Sequence, residues 1–230
     1  MIARSIIIMA VIACFWYPEQ ISAQNQADED PYVAVVIKVT PPVQLRRSGT
    51  ENLVPLERDV RLYPGDRIVC QEGGFASLVF ADNAVELKLY PNSEFNLEGQ
   101  RTDRSIVKRV FLGIGRLLTK VTRGSMQVVT PTSVASVKGT EWWTMVDRTT
   151  LTQIVVLDGE LEVQHRATGE TQVVGAGNTA VLTPEGVLEV EPTGEFEVPE
   201  EPGEPDQGSL EFEFEDASGE RKTLRIEYNK

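Results

Sequence analysis

Turn signals recur along this chain at roughly nine- to eleven-residue spacing, the cadence of an all-β protein. They include Pro64-Gly65-Asp66, Gly73-Gly74, Asp82-Asn83, Pro91-Asn92-Ser93, Gly113-Ile114-Gly115, Arg123-Gly124-Ser125, Asp158-Gly159, Thr168-Gly169 and Gly175-Ala176-Gly177-Asn178. Between them the residues alternate. Ala76, Leu78 and Phe80 share one face, and so do Val85, Leu87 and Leu89. No window carries a helical period. The chain is therefore expected to be all-β, with many short antiparallel strands in a sandwich or a flattened solenoid-like body. Gly113-Ile114-Gly115 is expected to be a turn separating strands at 105–111 and 115–121. Asp158-Gly159, flanked by Ile154, Val156, Leu161 and Val163, is expected to close a hairpin.

The first 23 residues read as an export signal. Arg4 precedes an apolar run from Ile6 to Tyr17, and Ile21-Ser22-Ala23 offers a small residue before Gln24. The run is too short for a membrane span, which needs about 20 apolar residues. No transmembrane span is expected in the mature chain, and the compartment is expected to be periplasmic or extracellular. Val11-Ile12-Ala13-Cys14 also resembles a lipobox, so an outer-membrane lipoprotein anchored through Cys14 is the alternative. Cleavage after Ala23 leaves Cys70 as the one cysteine, in the alternating segment Arg67-Ile68-Val69-Cys70. A buried thiol is expected there, with no internal disulfide.

Charge divides the chain. From Glu185 onward there are 15 acidic and 4 basic residues, a net −11, whereas the preceding 184 residues carry only −2. Such a balance argues against a nucleic-acid partner, which selects basic surfaces. Residues 32–184 form the expected β domain. Residues 187–209 read as an acidic linker, with Pro192, Pro199, Pro202 and Pro205 among glutamates. Residues 210–228 read as a β-hairpin appendage with Leu210, Phe212 and Phe214 facing Leu224, Ile226 and Tyr228. An isolated hairpin is marginal in water, so this one wants a partner surface.

Val128-Val129-Thr130-Pro131, followed by Val137-Lys138-Gly139-Thr140-Glu141-Trp142, resembles the signature stretch of the FecR family of extracytoplasmic β domains. The resemblance runs from about Val33 to Pro184. It includes Leu62-Tyr63-Pro64-Gly65-Asp66, Tyr90-Pro91-Asn92-Ser93 and Leu157-Asp158-Gly159-Glu160-Leu161. It implies that Gly65, Asp66, Thr130, Pro131, Val137, Lys138, Gly139, Thr140, Glu141, Trp142, Asp158 and Gly159 serve as structural or partner-surface positions. The apolar parity flips across Gly139, from Ala135 and Val137 to Trp142, Thr144 and Val146. A β-bulge at Gly139 is expected, with Glu141 paired to Lys138 or to the bulged backbone. The family's sigma regulators carry a cytoplasmic segment and a membrane span ahead of the β domain. This sequence shows a cleavable-looking signal in that place.

No reaction chemistry stands out. The single histidine, His165, is expected at an exposed strand end. A His/Cys metal site lacks ligands, and Ser133 and Ser136 have no nucleophile elbow around them. No catalytic, cofactor-binding or metal-binding residue is assigned, and no cofactor is expected. Trp142 and Trp143 are adjacent, so in a strand they face opposite ways; either one is a stacking platform for a sugar or a protein, or both are packed between two sheets. The expected function is that of an exported, non-enzymatic binding or assembly module of the bacterial envelope, with an envelope protein or glycan as partner. The alternatives are a soluble regulator of a cell-surface signalling system and a carbohydrate-active β protein.

Overall fold

The computed structural model describes residues 32–101, 106–137, 139–202, 207–215 and 221–229, the last two by strand and register. The signal segment, Cys14 and Lys138 lie outside the described residues. Every element among those described is a strand. In chain order they are β1 (Ala34–Thr40), β2 (Val43–Arg46), β3 (Leu53–Pro55), β4 (Arg61–Leu62), β5 (Arg67–Cys70), β6 (Phe75–Phe80) and β7 (Val85–Leu89). There follow β8 (Ser93–Leu97), β9 (Gln100–Arg101), β10 (Ile106–Val107), β11 (Arg109–Val121), β12 (Met126–Val129), β13 (Ser133–Val137) and β14 (Glu141–Val146). The last are β15 (Thr152–Asp158), β16 (Glu160–His165), β17 (Thr171–Gly175), β18 (Asn178–Leu182), β19 (Leu188–Pro192), β20 (Gln207–Glu215) and β21 (Arg221–Asn229).

Two sheets face each other. The front sheet runs β4-β1-β6-β7-β11-β14-β15-β18-β19. The back sheet runs β3-β2-β5-β8-β11-β12-β13-β16-β17. All pairs are antiparallel except β11–β12. The chain alternates between the sheets while both grow in the same direction, so the body is a sandwich built by solenoid-like progression. It is not a closed barrel. Alternate residues of both sheets fill the space between them. Leu78, Leu87, Leu117, Trp142 and Ile154 from the front meet Ile68, Phe95, Leu112, Val128 and Val163 from the back in one buried cluster. Burial of this kind stabilises by about 25 cal/mol per Å² of apolar surface.

The one strand that belongs to both sheets is β11. Arg109–Val121 is continuous over 13 residues. Its first half pairs with β8 and β12 and its second half with β7 and β14. The expected turn at Gly113-Ile114-Gly115 is therefore corrected: the strand bends there and changes sheet. Gly113 is the extra residue of a bulge against β8, between Leu112↔Phe95 and Ile114↔Glu94. Gly115 has φ +103, and a Cβ there would lie 2.0 Å from the Ser93 hydroxyl. That hydroxyl accepts a hydrogen bond from the Arg116 amide at 2.8 Å. The Pro91-Asn92-Ser93 corner and the Gly-x-Gly bend, far apart in sequence, thus form one joint.

Further corrections concern the C-terminal stretch. Part of 187–209 is strand, since β19 extends the front sheet through five residue pairs with β18. β20 and β21 pair from Gln207↔Asn229 to Glu215↔Arg221 and form a two-stranded sheet of their own.

Candidate interaction surface

The signature residues gather at joints of the sandwich. Asp66, 2% exposed, accepts hydrogen bonds from Arg47 Nη1 at 2.7 Å, the Tyr63 amide at 2.9 Å and the Ser48 amide at 3.2 Å. Gly65 donates its amide to the Leu97 carbonyl at 2.7 Å. A buried carboxylate needs this degree of pairing, because desolvation otherwise penalises the charge heavily. Thr130 is fully buried. Its Oγ1 accepts from the Ser133 amide at 2.9 Å and shares hydroxyl bonds with Ser133 (2.8 Å) and Thr152 (2.9 Å). Arg166 Nη1 donates to the carbonyls of Thr130 (2.8 Å) and Pro131 (3.2 Å). The TP turn is therefore tied from inside and outside at once.

Val137, Gly139, Thr140 and Glu141 lie beside Asp158 and Gly159, and both segments carry the chain between sheets. β13 and β16 belong to the back sheet, β14 and β15 to the front. The expected hairpin at Asp158-Gly159 is therefore corrected, since β15 and β16 pair with other strands. Thr140 Oγ1 donates to the Glu160 carbonyl at 2.9 Å. A Cβ on Gly159, φ +79, would lie 2.8 Å from the Gly139 carbonyl oxygen, so the two crossings are in close contact. Gly139 is left-handed, φ +82, but it sits in the crossing. The bulge falls on β15 instead: Glu141 pairs with Asp158 and Trp142 with Val156, which skips Leu157. The parity flip comes from the change of sheet. Glu141 pairs with Lys120 at 2.9 Å, and this contact raises the lysine's pKa. The expected pairing to Lys138 involves a residue outside those described.

His165 overturns its expectation outright. It is 1% exposed. Its Nδ1 accepts from the Ala167 and Thr168 amides at 3.1 and 3.3 Å, which leaves Nε2–H to donate to the Thr183 carbonyl at 2.9 Å. It is a turn-locking residue with both ring nitrogens hydrogen-bonded. Cys70 is buried as expected, and burial pushes its thiol up to about 12. Among the described residues no cluster of His, Cys, Asp and Glu could hold a metal ion.

The feature that sequence reasoning missed is the outer face of the front sheet. Trp142 points inward, with its indole N–H on Thr144 Oγ1 at 3.0 Å. Trp143 points outward, yet it too is fully buried. It packs with Phe75, Tyr90 and Val155 in a second cluster, joined at the edges by Leu118, Met145 and Phe196. Ring centroids are 5.3 Å apart for Phe75–Tyr90, 4.8 Å for Tyr90–Trp143 and 6.0 Å for Trp143–Phe196. Phe196 comes from the acidic stretch that follows β19. Five residues later, Glu201 forms ion pairs with Lys88 and, at 3.2 Å, with Lys38, while Thr40 Oγ1 donates to the Pro202 carbonyl at 2.9 Å. Burial pushes the Glu201 carboxyl up, but Lys88 and Lys38 together hold it below the ordinary glutamate range. Residues 193–202 thus form a strap across the sheet. The expectation of a solvated linker here is corrected; the apolar signals were Leu188 and Phe196, outweighed by the surrounding glutamates and prolines.

Among the described residues, no helix is long and apolar enough to cross a membrane. Comparison with known proteins adds three findings. Residues 66–162 match the model of the FecR protein family. No curated protein matches the chain. Two crystal structures of a Parabacteroides distasonis ATCC 8503 protein, described provisionally as an anti-sigma factor, are similar at 14% identity with TM-scores of 0.48 and 0.47. Each alignment covers 55% of this chain and 59% of that one. The family match is narrower than the resemblance from Val33 to Pro184. It starts at the buried Asp66 and contains the β11 sheet change, the TP turn and both rim crossings. Residues 66–162 accordingly resemble the FecR protein family.

Proposed function

We propose that this chain is an exported, non-enzymatic binding or assembly module of the bacterial envelope, and that it contacts a protein partner through its C-terminal hairpin. The observation that carries this reading is the hairpin itself. β20 and β21 are paired with each other in a separate two-stranded sheet. Such a pair is marginal without a further surface, and its outer edges offer backbone groups for strand addition. The FecR match supports a regulatory or signalling-related module, and a soluble regulator acting on a membrane partner is the second reading. A glycan-stacking platform loses its support, because both adjacent tryptophans are buried.

The test is capture from the native envelope with the full chain and with a chain lacking 207–230. A partner held by the full chain and lost by the shortened one supports the proposal, provided both show the same cooperative melt. Equal capture by both contradicts it. For export, the mature protein should begin at Gln24 by N-terminal sequencing, whereas a diacylglyceryl mass on Cys14 would establish the lipoprotein alternative.

A further inference from the structure

The strap is attached differently from every strand around it. β19 is hydrogen-bonded to β18 along its length, but residues 193–202 form no strand. The strap is held by the Thr193 amide on the Gly177 carbonyl, the Phe196 ring on Trp143, the Glu201 carboxylate on two lysines, and the Pro202 carbonyl under Thr40. Thr179 and Thr193 also share a hydroxyl bond at 2.9 Å. Side-chain anchors without a backbone ladder mark a segment that opens well below the free energy of global unfolding.

What lies beneath has the make-up of a recognition surface. Phe75, Tyr90, Trp143 and Val155 form a contiguous aromatic and apolar floor. Lys38 and Lys88 flank it, and Lys38 sits 5.3 Å from the centre of the Phe75 ring. A second observation points to a ligand. Trp143 Nε1 is buried and has no hydrogen-bond partner among the described residues. A buried donor left unmade carries a free-energy penalty. The strap thus covers the indole without satisfying it, and a segment that placed an oxygen acceptor there would fit the floor better.

We infer that the strap occupies, in cis, a docking face for an extended acidic segment of a partner protein, one that carries an aromatic side chain and, about five residues further on, a carboxylate. The strap's own Phe196 and Glu201 display that chemistry. The face is distinct from the hairpin of the preceding proposal, so either can fail without the other. Tethering gives the strap an effective concentration in the millimolar range. A free segment competes with it only when it binds better or when the strap is weakened.

The full chain carrying Phe196→Ala and Glu201→Gln is titrated against a fluorescent synthetic peptide of residues 193–202, at low salt, with anisotropy as the readout. The weakened chain should bind the peptide about tenfold or more tighter than the wild type, because the competitor in cis is lost. The gain should vanish for a peptide lacking the phenylalanine, and again when Lys38 and Lys88 are changed to Gln in the weakened chain. Glu201→Gln alone should give a smaller gain, and it keeps the test readable if the double variant melts early. Equal affinity for wild type and variants, or no binding to either variant, overturns the inference. Concentration-dependent dimerisation of the wild type, with no peptide binding, assigns the face to a second copy's strap and overturns the partner reading.

Discussion

Trp142 and Trp143 follow one another in β14, and both are fully buried, yet they belong to different kinds of interior. Trp142 lies between two hydrogen-bonded sheets, in the buried cluster drawn from both, with its indole N–H bonded to Thr144. Trp143 lies between one sheet and a strap held by side chains, with its N–H unpartnered among the described residues. The first interior is closed by backbone ladders on both sides and opens only when the sandwich comes apart. The second can open by lifting ten residues. Burial alone does not distinguish them; what differs is how the covering layer is attached.

The largest effect should come from the inner interior. Trp142→Ala removes an aromatic ring from a space that two ladders hold open, at a cost of about 4 kcal/mol. Chemical denaturation would show this as a lower midpoint with an unchanged slope. A loss comparable to that of a surface substitution would break the contrast from the inside.

Next in size is the ion pair that belongs to the rigid part. Asp66 is bonded to Arg47 and to two amides while almost wholly buried. Asp66→Ala leaves those donors without an acceptor and should cost about 3 kcal/mol. The same midpoint measurement applies, and a cost under about 1 kcal/mol would place Asp66 with exposed pairs.

On the outer face the effects should be smaller and local. Phe196→Ala should lower global stability by about 1 kcal/mol, since the ring is half-buried and its floor partly re-covers. It should nevertheless shift tryptophan emission to the red, because Trp143 meets water. A change in stability as large as that of Trp142→Ala, with no spectral shift, would make the strap part of the core.

The smallest effect is on acid titration. The Glu201 carboxyl is held below its ordinary range in the folded chain, so its protons bind more tightly in the unfolded or strap-released state. Its contribution is present above the ordinary glutamate range and is lost as pH falls through the depressed value. Acidification should therefore release the strap before the sandwich melts, and high salt should assist by screening Lys38 and Lys88. Glu201→Gln should abolish the acid step in Trp143 emission. An unchanged step in that variant would assign the titration to another group.

How far the sequence discloses this architecture depends on the range of each interaction. Alternation at Ala76–Phe80 and Val85–Leu89 is local, and both segments are strands. Left-handed positions were legible too, as at Gly139 and Gly159. Their partners were not, since Asp158-Gly159 has the backbone angle of a hairpin turn but passes between sheets. Gly113-Ile114-Gly115 carries the residues of a turn, yet Ser93 and the neighbours of β11 make it a bend in one strand. His165 looks exposed at a strand end until the Thr183 carbonyl, 18 residues on, closes over it. Phe196 is one aromatic residue in an acidic run. Only the floor beneath it, drawn from β6, β14, β15 and the residue that follows β7, explains why it is there.

The most direct measurement is fluorine NMR of the full chain labelled with 5-fluorotryptophan, followed through mild acid and then denaturant. The signals are assigned with Trp142→Phe and Trp143→Phe. The structure predicts that the Trp143 resonance moves toward its solvent-exposed position in a first step, while the Trp142 resonance stays native until the sandwich unfolds. If both resonances move together in a single transition under every condition, the strap is a fixed part of the core, and the distinction between the two interiors is wrong.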